Sequence, residues 1–389
     1  MENPILSIVI PTRNRYDYLY YSLLTIVKYY RDQNIEVIVN DNSTDEMPSN
    51  LYELINSNRI FKYYKIEGWY SQVGNFENAF EMVNGKYLTM IGDDDSVSNN
   101  LLEVIEYMDN NDIDALNCLF ATYLWPDIES KIYSKNLSGT LSIPNYSKSF
   151  YKIDTQKEIQ KVLYVGGTSL ENLPRLYYGI VSSSVLNKVK NDSGVFFPGP
   201  SPDMANAFSL SFYVKNQFFY DFPLFIAGNS SKSAAGMGAK GAHLANLEDI
   251  SILPKECASL WEKLNPKFWS GPTIWAESAI KAIISCDRAE ILKNFNYIRL
   301  YAACKVYNSQ YNILTRQAEL IYLNSNRINM LSYTFQYYIE VFKIWNLRLN
   351  ALLKNSYNIL KIKLGLGKNN YSDILNVYLA TEIMINKTK

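Results

Sequence analysis

Through the first hundred residues, short β-branched runs alternate with segments whose apolar positions recur at helical spacing. Leu6–Pro11 (LSIVIP) reads as a strand closed by proline, and Tyr16–Tyr30 as an amphipathic helix. Glu36–Asn40 (EVIVN) is a second predicted strand, Asn50–Asn56 a short helix and Ile60–Ile66 a third strand. Gln72–Gly85 reads as a helix stopped by glycine, and Lys86–Gly92 as a fourth strand. This alternation predicts an α/β fold, a mostly parallel sheet with helices on both faces. Ligands bind such sheets beyond the carboxyl ends of the strands. Polar groups collect there at Pro11–Arg13, Asp41–Ser43 and Asp93–Asp95.

From about Asp112 to Ser149 the pattern changes to short apolar runs separated by Pro, Gly, Asn and Ser, as in β-hairpins. Helical spacing returns at Thr155–Val165 and Asp203–Asn216, and after about Asn246 it continues to the end. The expected organisation is an α/β domain over 1–245, with halves at about 1–115 and 116–245, followed by a helical domain or extension over 246–389.

Composition narrows the classes. Lys plus Arg and Asp plus Glu balance at 38 each in 389 residues, which speaks against nucleic acid as a partner. Four scattered cysteines form no CxxC pair, and no apolar run reaches membrane-spanning length. The expectation is a cytoplasmic protein, at most peripheral at the inner face of the plasma membrane.

The adjacent acids Asp93, Asp94 and Asp95 need compensation, since neighbouring carboxylates repel by roughly 4 kcal/mol per pair at 4 Å near a surface. Hard oxygen ligands suit Mg²⁺ or Mn²⁺, with positions left open for a nucleotide diphosphate. The alternative is an acidic turn that caps the following helix.

Four motifs in order now carry a resemblance: PTRN (Pro11–Asn14), NDNS (Asn40–Ser43), NFENAFEMVNGKY (Asn75–Tyr87) and GDDD (Gly92–Asp95). Together they resemble the family 2 glycosyltransferases of GT-A fold, closely over about 5–115 and more loosely to about 230. The resemblance implies a nucleotide-sugar donor, a UDP-sugar foremost, bound by Pro11, Thr12, Arg13, Asp41, Ser43, Asn75, Asn78, Asp93 and Asp94. Asp41 would accept from the base, with Thr12 and Arg13 lining the base or ribose pocket. Asp95 would contact Mn²⁺ or Mg²⁺ directly, with Asp93 as its partner, and Asp93 or Asp94 would meet the ribose or a metal-bound water. Where the family often has two acids, this chain has Asn40 and Asp41.

Inverting members use a carboxylate base at a helix start after a Pro/Gly loop, a context that FFPGPSPDMANAF supplies with Asp203. A helix N-terminus favours its ionised form, which makes it a weak but constantly available base. The alternative role for Asp203 is capping its helix. Arg175–Val189 falls where the family binds acceptors. In Gly228–Asn246 the literal GxGxxG at Gly236, Gly238 and Gly241 lacks the context of a dinucleotide site. That segment better suits a flap over the diphosphate, with Lys232, Lys240 and His243, the last as an additional metal ligand. Val341–Lys368 combines apolar residues at helical spacing with six basic residues and no acid. Either membrane-surface contact or a homo-oligomer through the C-terminal helices would use such a helix, as would packing in the tail.

The expected activity is a metal-dependent, inverting transfer of a sugar from a nucleotide diphosphate sugar to a hydroxyl of a growing or lipid-linked glycan. Its setting would be O-antigen or capsule synthesis. A sugar nucleotidyltransferase would want a glycine-rich loop after the first strand, which is missing. A nucleotide-sugar-binding scaffold without turnover is the competitor from another class.

Overall fold

The computed structural model describes residues 3–128, 138–233, 244–363 and 369–389. Four parallel strands form its first part: β1 (Leu6–Thr12), β2 (Ile35–Asp41), β3 (Phe61–Lys65) and β4 (Tyr87–Met90), in spatial order β3-β2-β1-β4. Helices α1 (Tyr16–Tyr30), α2 (Ser49–Asn56) and α3 (Gln72–Phe80) connect them. Alternating side chains of β1 feed two cores. Leu6, Ile8 and Ile10 meet Leu19, Leu23 and Ile26 of α1, whereas Val9 packs with Phe76 and Phe80 of α3 on the other face.

Beyond β4 the sheet is mixed. The short β5 (Ser96–Val97) is followed by α4 (Leu101–Asn110) and the long β6 (Ala115–Leu124). After β7 (Thr140–Ser142), β8 (Phe150–Ile153) and α5 (Thr155–Tyr164) come β9 (Gly179–Ser182), α6 (Ser183–Ser193), α7 (Pro202–Ser211) and β10 (Gln217–Asn229). β9 joins β4 to β6 and is antiparallel to both, and β10 runs parallel to β6 along its whole length. Among the described residues, the hairpin character expected for 112–149 appears as the antiparallel pairing of β7 with β6.

The helical tail contributes α8 (Gly271–Ser285), α9 (Tyr297–Tyr307), α10 (Asn312–Asn326) and α11 (Met330–Lys363). It shares a core with the preceding half rather than standing apart. Ile159, Met204 and Phe208 of α5 and α7 pack with Ala276, Ile280, Leu300 and Tyr301. The chain then returns to the sheet through β11 (Asn370–Tyr371), paired with β7, and α12 (Val377–Thr388), which packs on α1. Thr381 Oγ1 donates to Ser96 Oγ at 2.8 Å, so the last helix props the strand that follows Asp95. No described helix is long and apolar enough to cross a membrane.

Candidate active site

Parallel register sets Thr12 beside Asp41 and Asp41 beside Lys65, so three strand ends form one rim. A cleft of about 370 Å³ opens there, lined by Arg13, Asn42, Ser43, Lys65, Gly68 and Trp69 among others. Trp69 is exposed, with the Lys255 ammonium over its ring. A larger hollow of about 810 Å³ lies among α5, α9 and α10, lined by Lys161, Tyr164, Asn296 and Tyr322. It is remote from the strand ends and from the carboxylate cluster, so the chemistry places the site at the smaller cleft.

Asp41 lies beneath that cleft rather than in it. Its Oδ1 accepts from the Ser43 amide at 2.7 Å, and its Oδ2 from Tyr16 at 2.6 Å, Tyr63 at 2.5 Å and the Lys65 ammonium at 3.2 Å. Burial raises the Asp41 pKa, but these donors outweigh it and hold the carboxyl below its ordinary value. These internal bonds fix Asp41 at the floor of the cleft. Ser43 lines the cleft while its hydroxyl accepts from the Asn14 amide at 2.7 Å. Asn75 stands behind the rim, where the Asn40 amide donates to its backbone oxygen and to its Oδ1. The Asn78 Oδ1 is buried without a hydrogen bond, and Pro11 is held in β1 opposite Asn40.

The three adjacent acids do not cap a helix: β5 intervenes, and α4 starts only at Leu101. All three are buried, and each is held differently. Thr12 Oγ1 donates to Asp93 Oδ2 at 2.7 Å, which places Thr12 on the acidic cluster rather than in the base pocket. Asp94 Oδ2 accepts from Ser230 Oγ at 2.6 Å and its amide at 3.2 Å. Asp95 has both oxygens taken, Oδ2 by the Gly92 amide (2.5 Å) and Tyr177 hydroxyl (3.0 Å), Oδ1 by the Gly228 amide (2.7 Å). The bond to Gly228 ties the Asp loop to β10.

The compensating charge is Arg15, at the N-cap of α1. Its Nη2 lies 2.9 Å from Asp93 Oδ1 and 2.7 Å from Asp94 Oδ1, and donates to Ser230 Oγ at 3.2 Å. The contact with Asp93 is ionic without hydrogen-bond geometry, and both Asp93 Oδ1 and Arg15 Nε remain without a hydrogen bond. Burial opposes the Arg15 charge, yet Asp93 and Asp94 more than offset that and raise its pKa. For Asp93 and Asp95, burial dominates and pushes the carboxyls upward; Asp94 adds to both shifts, and Arg15 restrains Asp93.

Nothing in the apolar pattern marks Arg15. Arg13, singled out from the sequence, points instead into the exposed cleft. Gly228 is required by close approach: a Cβ there would sit 1.8 Å from the Asp94 backbone oxygen.

Asp203 is the second residue of α7 and half-buried. Burial raises its pKa, with the charge of Arg175 acting the other way, so the ionising pull expected from the helix N-terminus is outweighed. The Tyr177 hydroxyl, bonded to Asp95, has its pKa raised by burial and by the negative charges of Asp95, Asp94 and Asp203. Arg175, whose Nε is buried without a hydrogen bond, and Tyr177 both come from the segment expected to meet the acceptor. His243, Lys240 and the three glycines at 236, 238 and 241 lie outside the described residues. Among those described, no group of three His, Cys, Asp or Glu side chains is arranged to hold a metal ion.

Residues 7–169 match the model of the family described as Glycosyl transferase family 2. Among solved structures, Staphylococcus aureus TarS matches at 16% identity and a TM-score of 0.42, over 58% of this chain and 37% of that one. TarS 1–349 in complex with UDP-GlcNAc matches at 13% identity and 0.47, over 82% and 92%. The mannosyltransferase PcManGT from Pyrobaculum calidifontis, in complex with GDP-Man and Mn²⁺, matches at 14% identity and 0.39, over 88% of each chain. The present chain thus spans little more than a third of the first TarS structure. No curated protein matches it. Over residues 7–169, less than half of its length, this chain is similar to glycosyl transferase family 2.

Proposed function

We propose that the protein transfers a sugar from a nucleotide diphosphate sugar to a hydroxyl of a growing glycan, with inversion at the anomeric carbon. The observation that carries this reading is the continuity of three features along one rim. These are an open cleft walled by Trp69 and Ser43, the Asp93–Asp95 cluster joined to it through Thr12, and Tyr177 of the acceptor-side segment, whose hydroxyl donates to Asp95. The base stacks on Trp69, whose ring offers a flat apolar face at the cleft edge. Arg13 and Lys65 meet the ribose and phosphates.

Three carboxylates face one guanidinium in the cluster, so a diphosphate brought alongside requires further positive charge. The donors fit Mn²⁺ or Mg²⁺ in kind, and the unsatisfied Asp93 Oδ1 and Arg15 Nε mark the pair that a ligand would complete. Asp93 and Asp94 would hold the ion once Arg15 turns toward the diphosphate, and the ion would supply Lewis-acid stabilisation of the leaving group. Asp203 takes the proton of the attacking hydroxyl. Its raised pKa makes it a better base than a fully exposed carboxylate. Arg175, on the acceptor side, limits how far that pKa rises.

A glycan carried on a lipid is the acceptor this reading favours, in the synthesis of a surface polysaccharide such as an O-antigen or capsule, at the inner face of the plasma membrane. A thermal-shift screen of UDP- and GDP-sugars with and without Mn²⁺ tests the donor site. One nucleotide should stabilise the wild type and fail to stabilise Trp69→Ala. If no nucleotide shifts the wild type, the reading fails.

A further inference from the structure

Among its described side chains, helix α11 is held to the body by one face. Tyr333 and Ile344 are buried against α9 and α10, with Glu340 paired to Arg299 at 2.7 Å. On the opposite face Leu331, Phe335, Tyr338, Phe342, Trp345, Leu349 and Leu352 are all between 52% and 83% exposed. Their spacing is 4-3-4-3-4-3 without interruption over 22 residues. That is the heptad seam of two packed helices, in which each apolar knob enters a hole of the facing helix. A hollow of about 250 Å³ between Phe342, Trp345, Leu349 and Leu352 is one such hole.

We propose that this seam is covered by the same helix of a second copy of the chain, in an antiparallel homodimer. Area favours a stable contact. Seven large side chains that are more than half exposed amount to about 800 Å² per copy, the size of a standard protein interface. Charge selects the orientation. From Met330 to Ile339 the helix has no charged residue, whereas Val341–Lys363 carries Lys343, Arg348, Lys354, Lys361 and Lys363 and no acid. Parallel pairing sets the two basic halves side by side. Antiparallel pairing with Phe342 near the two-fold axis sets Arg348 and Lys354 of each copy against the neutral half of its partner. The flanking Ile339 and Leu353, also exposed, widen the seam without adding charge. This surface is remote from the sugar-transfer site and does not depend on that assignment.

Sedimentation equilibrium on the full chain tests the proposal. The expected mass is twice 44.8 kDa at micromolar concentration, returning to the monomer in Phe342→Ser/Leu349→Ser with unchanged circular dichroism. Both substituted residues are exposed, so the variant leaves the packed core untouched. Spin labels on Ser332→Cys, in a Cys257→Ser background, should lie roughly 30 Å apart across an antiparallel pair, from 1.5 Å of rise per residue. A separation of about 10–15 Å would overturn the antiparallel arrangement. A wild-type monomer at 50 µM would overturn the dimer, and capture of that monomer by phosphatidylglycerol vesicles would assign the stripe to lipid instead.

Discussion

Replacing Arg15 by methionine removes the guanidinium that lies 2.9 Å and 2.7 Å from Asp93 and Asp94 while keeping an unbranched apolar stem. At an effective dielectric of about 20, each contact is worth about 5–6 kcal/mol of Coulomb energy before desolvation. Removing one partner of a buried pair typically costs 3–5 kcal/mol, because the other charge is left unpaired. The carboxylates are almost fully enclosed and Arg15 is one-fifth exposed, so the loss should fall in that range. Urea denaturation at pH 8 is the assay, with a fall in melting temperature of about 4–6 °C alongside. At pH 6 the loss should shrink, because burial already pushes the Asp93 and Asp95 carboxyls upward and a proton takes the place of the cation. Mn²⁺ should then bind Arg15→Met without nucleotide and restore part of its stability, about 2.7 kcal/mol at a hundredfold excess over Kd. The wild type, with Arg15 in place, should gain much less. Equal stability of the two proteins at pH 8, or equal stabilisation by Mn²⁺, refutes the reasoning.

Gly228→Ala should detach the Asp loop from β10, since the new methyl group would lie 1.8 Å from the Asp94 oxygen. A destabilisation of about 3 kcal/mol or more and loss of nucleotide binding are expected, read by denaturation and calorimetry. Trp69→Ala should weaken nucleotide affinity about 10–100-fold, the worth of one stacked base, with stability unchanged. Glu277 is buried in α8, and burial raises its pKa to about 7 against its hydrogen bond from Asn265. The folded state therefore binds its proton more tightly than the unfolded state, so stability is greatest below about pH 4.5 for this group and declines as pH rises through 7. Glu277→Gln should flatten that decline in a pH series of unfolding curves, and an unchanged slope would count against the assignment.

The parallel half of the fold was legible because β1, β2 and β4 are short, mainly apolar runs ended by turn residues, and register then places their polar ends together. The Asp cluster was legible as a concentration of charge that demanded compensation. What compensates it was not. Arg13 and Arg15 sit two residues apart in the same polar loop, and only the start of α1 at Tyr16 turns the second inward. The same limit hid the bonds of Asp95 to Gly228 and Tyr177, which span 133 and 82 residues. For Asp203 the sequence located the helix start but not the shell around it, so local helix polarity was weighed without the larger effect of burial. The return of α12 to α1 and β5 rests on contacts such as Thr381 with Ser96, 285 residues apart, for which no local pattern exists.

Sugar transfer itself is tested most directly by acceptor-dependent release of nucleoside diphosphate from the donor that binds. With a matching glycan acceptor, the wild type should release it, and Asp203→Asn should bind the donor with similar affinity while turning over 10²–10⁴-fold more slowly. A donor that binds without any acceptor-dependent release, or an Asp203→Asn protein as active as the wild type, would contradict the account.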